Sequence, residues 1–472
     1  MQENNKSYPI LIIGAFTVIL FASMVAYICT YAVTNHRVMM DNSYNAHQTL
    51  LRKQNTRGTI YSSDGKVLAE TKTDEAGNET REYPYGKTFS HVIGFSVNGR
   101  SGIENLANYY LINSNAALKS KAEAKENDQK FPGDNVYTTL DTALQETAFE
   151  ALSARDGAIV VTEVETGRVL ALVSKPDFDP GTILNDWEEI TSDKNNTQLL
   201  NRATQGLYPP GSTFKIVTAL EYYKEKGEDY KNYTYNCNGK FTSGDDVIRC
   251  FHGESHGSLD FAMSFAKSCN SSFANMSLQL DKSDFGKTLE KLMFNSDLPW
   301  EMNYSKSNAV CSDALSDGDT MQLGIGQGTT TVTPLHMNLI TAAIANDGTL
   351  MKPYLIDKVV TADGKTIESF SPKEYKKLMS EDESDFLKTL MEGVVEKGTA
   401  SKLKGLSYTA AGKTGSAEFK DSTSDSHAWF TGFAPAEDPE IAVTIIVENA
   451  GSGGEFAVPI AKRIFDRYFE MK

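Results

Sequence analysis

The chain has 472 residues, 40% hydrophobic and 23% charged, with a formal net charge of −16. That length calls for two or three modules, and the composition is that of a globular chain rather than a disordered one. The acidic balance argues against nucleic acid as the main partner, because phosphate binding relies on clustered Lys and Arg; one basic cleft can still sit inside an acidic body.

In chain order, residues 1–8 form a short tail, and the run from Pro9 to Val33 carries no charged residue. At about 1.5 Å per residue it spans roughly 37 Å, enough to cross a hydrocarbon core of about 30 Å. A cleaved leader has a shorter apolar region, on the order of 7–15 residues, so the expectation over 9–33 is an uncleaved anchor, with a cleaved signal as the alternative. Charge does not orient it: Lys6 lies before the run, while Arg37, Arg52, Lys53 and Arg57 follow it, and long domains translocate largely regardless of flanking charge.

Residues 34–150 read as a small β-rich module. A polar stalk runs to Thr56, and Arg57 to Ala69 has the pattern of a hairpin turning at Asp64-Gly65. Gly99 to Glu104 is a turn leading into a helix through Leu111, and the polar stretch from Asn113 to Gln129 reads as a solvated loop or helix. Asp134 to Leu152 reads as a strand followed by a helix capped near Asp141. From about residue 151 a larger α/β domain begins. It has a hairpin from Gly157 to Ser174 around Glu165-Thr-Gly167, a buried strand over Ile441–Val447 and a closing helix from Ala457 to Met471.

The chemical signal lies in Tyr208-Pro-Pro-Gly-Ser-Thr-Phe-Lys215, where a structure-breaking run precedes an apolar periodic helix. Ser212 is therefore expected near a helix start, where free N–H groups favour developing negative charge. Lys215, three residues on, projects from the same face. A serine hydroxyl needs a base, and a neutral lysine can serve if burial or a second cation lowers its pKa by about three units, at a cost of about 4 kcal/mol. Alone the spacing is weak, for it recurs at Ser63–Lys66, Ser264–Lys267 and Ser401–Lys404, and a serine N-cap beside a solvated lysine explains any one of them. Two further motifs follow in order. Ser268-Cys-Asn270 offers a hydroxyl and an amide, although Ser-x-Asn also occurs at Ser43 and Ser96. Lys413-Thr-Gly415 occurs once and suits an edge strand, with Lys413 and Thr414 available to a carboxylate.

The serine–lysine, serine–asparagine and Lys-Thr-Gly set is the one found in penicillin-binding proteins and class A β-lactamases. From Arg57 onward the chain resembles class B penicillin-binding proteins. The likeness rests on Thr166-Gly-Arg-Val-Leu-Ala171, Asn201-Arg-Ala203, the Ser212 segment, His256-Gly257, Gly324-Ile-Gly-Gln-Gly328, Thr333-Pro334 and Trp429-Phe-Thr-Gly-Phe-Ala-Pro435, with Arg57-Gly58 and Gly102-Ile-Glu104 in the N-terminal module. Ser416 stands where the family often has threonine, no glycosyltransferase module precedes the match, and the pedestal is short.

The resemblance implies the penicillin-binding transpeptidase fold, an antiparallel sheet flanked by helices plus an all-helical subdomain. It also implies a pedestal over 34–150, a transpeptidase domain over 151–472 and a single-pass anchor that holds the catalytic domain outside the cytoplasm. Ser212 would attack a D-Ala-D-Ala stem peptide with Lys215 as base, Ser268 and Asn270 assisting, and Lys413, Thr414, Gly415 and Ser416 binding substrate. The backbone N–H groups of Ser212 and Ser416 would form the oxyanion hole. Stem peptides and β-lactams are the implied ligands, and a membrane glycan polymerase the implied partner. No cofactor is required for this catalysis. A carboxypeptidase or β-lactamase, a penicillin-sensing receptor and a noncatalytic scaffold are the rival readings.

The cysteines pose a separate question. Cys237 and Cys250 flank a turn-rich segment, and outside the cytoplasm a disulfide between them is the default. Cys250-Phe-His252 also allows a structural zinc on Cys237, Cys250 and His252, with an Asp, His256 or Cys311 as fourth ligand, and free thiols are the third reading. Cys269 reads as a buried filler, and His427 either lines the cleft or makes a structural hydrogen bond.

Overall fold

The computed structural model describes residues 7–34, 46–418 and 426–472. Ser7–Thr34 is one continuous helix with apolar side chains exposed all round, long and apolar enough to cross a membrane. Of the polar stalk, residues 35–45 lie outside the described residues, and Ala46–Gln54 is helical.

The pedestal is built on a six-stranded sheet in the order Thr366–Ser369, Ile356–Val360, Asn135–Thr138, Ile60–Tyr61, Val67–Thr73, Glu79–Glu82. The expected hairpin is present, with Ile60 opposite Ala69. Asn135–Thr138 is the expected strand, and Asp141 caps the next helix, Thr142–Leu152, by accepting from the Leu144 N–H. Two of the six strands come from far down the chain: Ile356–Val360 runs antiparallel to Asn135–Thr138 and so ties the pedestal to the larger region. Beneath this sheet Glu104, with no exposed side-chain surface, accepts from Arg57 Nε at 2.6 Å and Arg81 Nε at 2.8 Å. Burial pushes the Glu104 carboxyl up, but the two guanidinium groups outweigh it and hold the group below the usual carboxylate range.

The larger region centres on a five-stranded antiparallel sheet, ordered Ala411–Glu418, Ser426–Ala434, Ile441–Val447, Gly157–Glu163, Val169–Lys175. The helices Gly453–Glu470 and Thr142–Leu152 pack on this sheet and against each other, and Pro334–Ala345, buried along its length, packs on the sheet as well. Cover on both faces explains why Ile441–Val447 is continuously apolar instead of alternating. A helical subdomain made of Lys215–Lys226, Phe261–Ala266, Asn270–Ser277, Lys282–Lys291, Asp317–Gly324 and Glu381–Lys397 lies beside the Ala411–Glu418 edge. The cleft opens where that edge strand meets the subdomain.

Candidate active site

The Pro-Pro-Gly run ends in a 3-10 turn over Gly211–Phe214, and the α-helix Lys215–Lys226 begins immediately after it. Two hydrogen bonds fix the approach: Trp429 Nε1–H donates to the Pro209 carbonyl at 3.1 Å, and the Gly211 N–H to the Gly326 carbonyl at 2.9 Å. The Tyr208 hydroxyl and Arg202 Nε both donate to Glu448, at 2.6 and 2.7 Å. Ser212 is thereby presented to a cleft of about 890 Å³.

Lys215 is fully buried, and its Nζ lies 3.0 Å from Ser212 Oγ, 2.7 Å from the Ser268 carbonyl and 2.7 Å from Asn270 Oδ1. The two shorter contacts go to oxygens that can only accept, so they take two amine hydrogens. A neutral amine then keeps its lone pair for the Ser212 O–H to donate to, which is the arrangement a general base needs. Burial lowers the Lys215 pKa to about 8. Ser268 sits in the left-handed region at φ +56°, an uncommon conformation for a residue with a side chain. That turn directs its hydroxyl to 2.8 Å from Lys413 Nζ and 3.3 Å from Lys215 Nζ. Ser268 Oγ therefore bridges the two amines. Asn270 is held by donating Nδ2–H to the Arg249 carbonyl at 3.0 Å.

Lys413 is also fully buried and donates to the Thr414 carbonyl at 2.9 Å; burial, then the nearby Lys215 charge, hold its pKa well below the ordinary lysine value. Thr414 and Ser416 line the cleft, whereas Lys413 and Gly415 do not. A Cβ on Gly415 would fall 3.1 Å from the Pro210 carbonyl oxygen and 3.1 Å from Trp429 Cβ, so this glycine admits the Ser212 turn against the strand. The Gly453 N–H donates to Ser416 Oγ at 3.4 Å. His427 makes the structural bond: its Nδ1 accepts from the Asn449 N–H at 3.2 Å, with the ring edge-on to Tyr208. Among residues without a motif, Phe273 lies under Lys215 and Phe265 under Lys413, with amine-to-ring distances of 5.4 and 5.6 Å.

Behind the Ser268–Asn270 turn the cysteines are unbridged and converge differently from the expected disulfide and from the expected ligand set. Cys237 and Cys250 are 3.7 Å apart at sulfur, far beyond the ~2.05 Å of a disulfide. His252 is not part of the group. It adopts φ +52° in a tight turn and lays its ring beside Phe251. His256 takes its place, because pairing of Gly257 with Cys237 sets the adjoining imidazole 3.4 Å from Cys237 Sγ. Cys269 is the fourth member, 3.6 Å from Cys250, while Cys311 belongs to the main core. All four donor atoms lie within 4.8 Å of one another. A tetrahedral zinc with Zn–S about 2.3 Å and Zn–N about 2.05 Å has edges of about 3.8 Å between sulfurs and about 3.5 Å between sulfur and nitrogen. The contacts of 3.7, 3.6 and 3.4 Å match three of those six edges. N–H groups of Gly239 and Ser272 donate to Cys237 and Cys269, both at 3.4 Å, as partners for sulfur carrying charge. Hydrogen bonding from Cys269, then from His256 and Ser271, holds the Cys250 thiol well below its ordinary value against the opposing effect of burial, and Cys250 in turn raises His256 to about 9.

Comparison with known proteins follows the same lines. A family model described as penicillin binding protein transpeptidase domain matches residues 157–466, and one described as penicillin binding protein A dimerisation domain matches residues 57–136. The peptidoglycan D,D-transpeptidase PbpA of Mycolicibacterium smegmatis is 30% identical over 436 residues, covering 86% of this chain and 87% of the relative. The D,D-transpeptidase domain of a peptidoglycan glycosyltransferase from Eggerthella lenta superposes with a TM-score of 0.80 at 30% identity, over 89% of this chain and 99% of that one. Penicillin-binding protein A of M. tuberculosis, as its penicillin G acyl-enzyme complex, gives a TM-score of 0.78 at 25% identity, over 88% and 100% of the two chains.

Proposed function

Because the chain belongs to the class B penicillin-binding protein transpeptidase family, we propose that it cross-links peptidoglycan stem peptides through an acyl-enzyme on Ser212 and is acylated there by β-lactams. The observation that carries this reading is the buried Lys215 amine, 3.0 Å from Ser212 Oγ with its other hydrogens committed to carbonyl oxygens. Ser212 Oγ attacks the carbonyl of the penultimate D-alanine as its proton passes to Lys215. The backbone N–H groups of Ser212 and Ser416 receive the developing oxyanion. As the C–N bond to the terminal D-alanine breaks, the proton reaches the departing amine by way of Ser268. An amine from a neighbouring stem then attacks the ester and loses its proton along the same route, which restores Ser212. Lys413 acts from below, holding the Ser268 hydroxyl and the Thr414 carbonyl in place.

This chemistry puts the catalytic domain, from about residue 151, outside the cytoplasm, with Ser7–Thr34 as anchor and a membrane glycan polymerase as working partner. Labelling with a fluorescent penicillin tests the assignment: the wild type is expected to label and Ser212→Ala to stay dark. A labelled Ser212→Ala would refute it. Release of free D-alanine without cross-linked muropeptides would mark a carboxypeptidase instead.

We further propose that Cys237, Cys250, Cys269 and His256 hold a structural zinc. Bound there, zinc would supply cross-linking of the turns around the Ser268–Asn270 segment and no chemistry on substrate. Elemental analysis is expected to give about one zinc per chain, falling in Cys250→Ser. Well under one zinc in the wild type would refute the site.

A further inference from the structure

The pedestal holds a cavity of about 190 Å³ whose walls carry three guanidinium groups, those of Arg52, Arg57 and Arg81. Arg57 and Arg81 share the carboxylate of Glu104. The other acid on the wall, Glu79, is engaged at both oxygens, by Lys130 Nζ and by the Thr56 hydroxyl, each at 2.6 Å. Three guanidinium charges less the one on Glu104 leave an excess of two, in a chain whose net charge is −16.

Two of these groups also lack acceptors. Arg81, with 9% of its side chain exposed, commits Nε to Glu104 and Nη1 to the Gly58 carbonyl and the Thr71 hydroxyl. Its buried Nη2 has no hydrogen-bond partner among the described residues. A buried donor left unpaired is unfavourable, and an acceptor oxygen brought to it would relieve that state. The Arg52 guanidinium makes no hydrogen bond or ion pair among the described residues, and burial, then the Arg100 charge, lower its pKa. Fixed donors with surplus positive charge in a partly desolvated pocket are what an oxyanion requires.

The cavity lies close to the end of the long apolar helix. Thr34, the last residue of that helix, lines a groove with Tyr109, and Ile112 on the same short helix, Asn108–Ile112, lines the arginine cavity. Tyr109 and Ile112 are about 5 Å apart along the helix axis. The charged residues from 35 to 56 are Arg37, Asp41, Arg52 and Lys53, a net positive segment suited to an anionic bilayer surface. Resting on the reading of Ser7–Thr34 as anchor, we propose that this cavity binds the phosphate headgroup of an anionic phospholipid, with Arg52 and Arg81 donating to its oxygens and so fixing the pedestal's orientation on the bilayer.

The test titrates the full chain, in a neutral detergent, with short-chain phosphatidylglycerol, short-chain phosphatidylcholine, inorganic phosphate and a tetraglutamate peptide, reading the thermal midpoint at each concentration. Phosphatidylglycerol is expected to raise the midpoint saturably and phosphatidylcholine to leave it unmoved. Arg52→Ala should weaken the apparent affinity for phosphatidylglycerol about tenfold, as expected for one charge-assisted contact. Lys53→Ala, adjacent in sequence but off the cavity wall, should change it less than about twofold. Should Arg52→Ala fail to fold, Arg52→Gln is read in the same way. Equal loss in the Arg52 and Lys53 variants would reduce the effect to diffuse charge attraction and overturn the proposal. So would the lack of a saturable shift, or a response to inorganic phosphate as strong as to the lipid. A stronger response to the peptide would overturn it too, by assigning the cavity to an acidic protein partner. Alkaline carbonate washing of membranes keeps the two readings apart. A chain released by the wash sinks the anchor and this inference with it, whereas a retained chain that ignores phosphatidylglycerol sinks only the lipid site.

Discussion

The sharpest quantitative consequence of the site concerns pH. Lys215 acts as base only when uncharged, and burial brings its pKa to about 8. The active fraction is then about 1% at pH 6, about 10% at pH 7 and about half at pH 8, a rise of roughly fiftyfold across those two units. The sign follows from the role: loss of a proton switches the base on, so the acylation rate climbs with pH and levels off above about 9. A lysine at its ordinary value near 10.4 would instead still climb about sevenfold between pH 9 and 10. Time courses with a fluorescent penicillin from pH 6 to 10, under pseudo-first-order conditions, separate the two cases. Lys215→Met should lower the rate by a factor on the order of 10²–10⁴. A flat profile, or one still rising at pH 10, would refute a buried neutral amine as the base, whatever the fate of Ser212.

Two further outcomes follow from packing. Glu104→Gln removes the one carboxylate shared by Arg57 and Arg81, whose side chains are only 14% and 9% exposed. The expected loss is about 3–5 kcal/mol, read by chemical denaturation, because two guanidinium groups stay buried without their anion. Gly415→Ala places a methyl group 3.1 Å from the Pro210 carbonyl oxygen and must displace either the nucleophile's turn or Trp429. Acylation should fall at least tenfold with a modest loss of thermal stability of about 1–3 kcal/mol, and an unchanged acylation rate would show the strand and the Ser212 turn to be independent.

The sequence by itself determined the long apolar helix, the hairpin at Asp64-Gly65, the helix cap at Asp141 and the three motifs of the site. Those signals are local: an apolar run, a turn dipeptide, a capping carboxylate, or a serine and lysine one helical turn apart, each readable from neighbours along the chain. Only the tertiary structure decided what depends on residues distant in sequence. No pattern announced that Ile356–Val360 would complete the pedestal sheet, because its partner strand lies more than two hundred residues earlier. The register that sets Gly257 against Cys237 chose His256 over His252 for the sulfur cluster, although His252 stands closer to Cys250 along the chain. Burial, which no motif encodes, left Lys413 beneath the cleft floor and Thr414 facing it. Thr399, whose hydroxyl lies 2.5 Å from that of Thr414, carried no recognisable spacing at all. Its hydroxyl meets Thr414 because a helix end and an edge strand are packed together, and packing is a property of the folded chain.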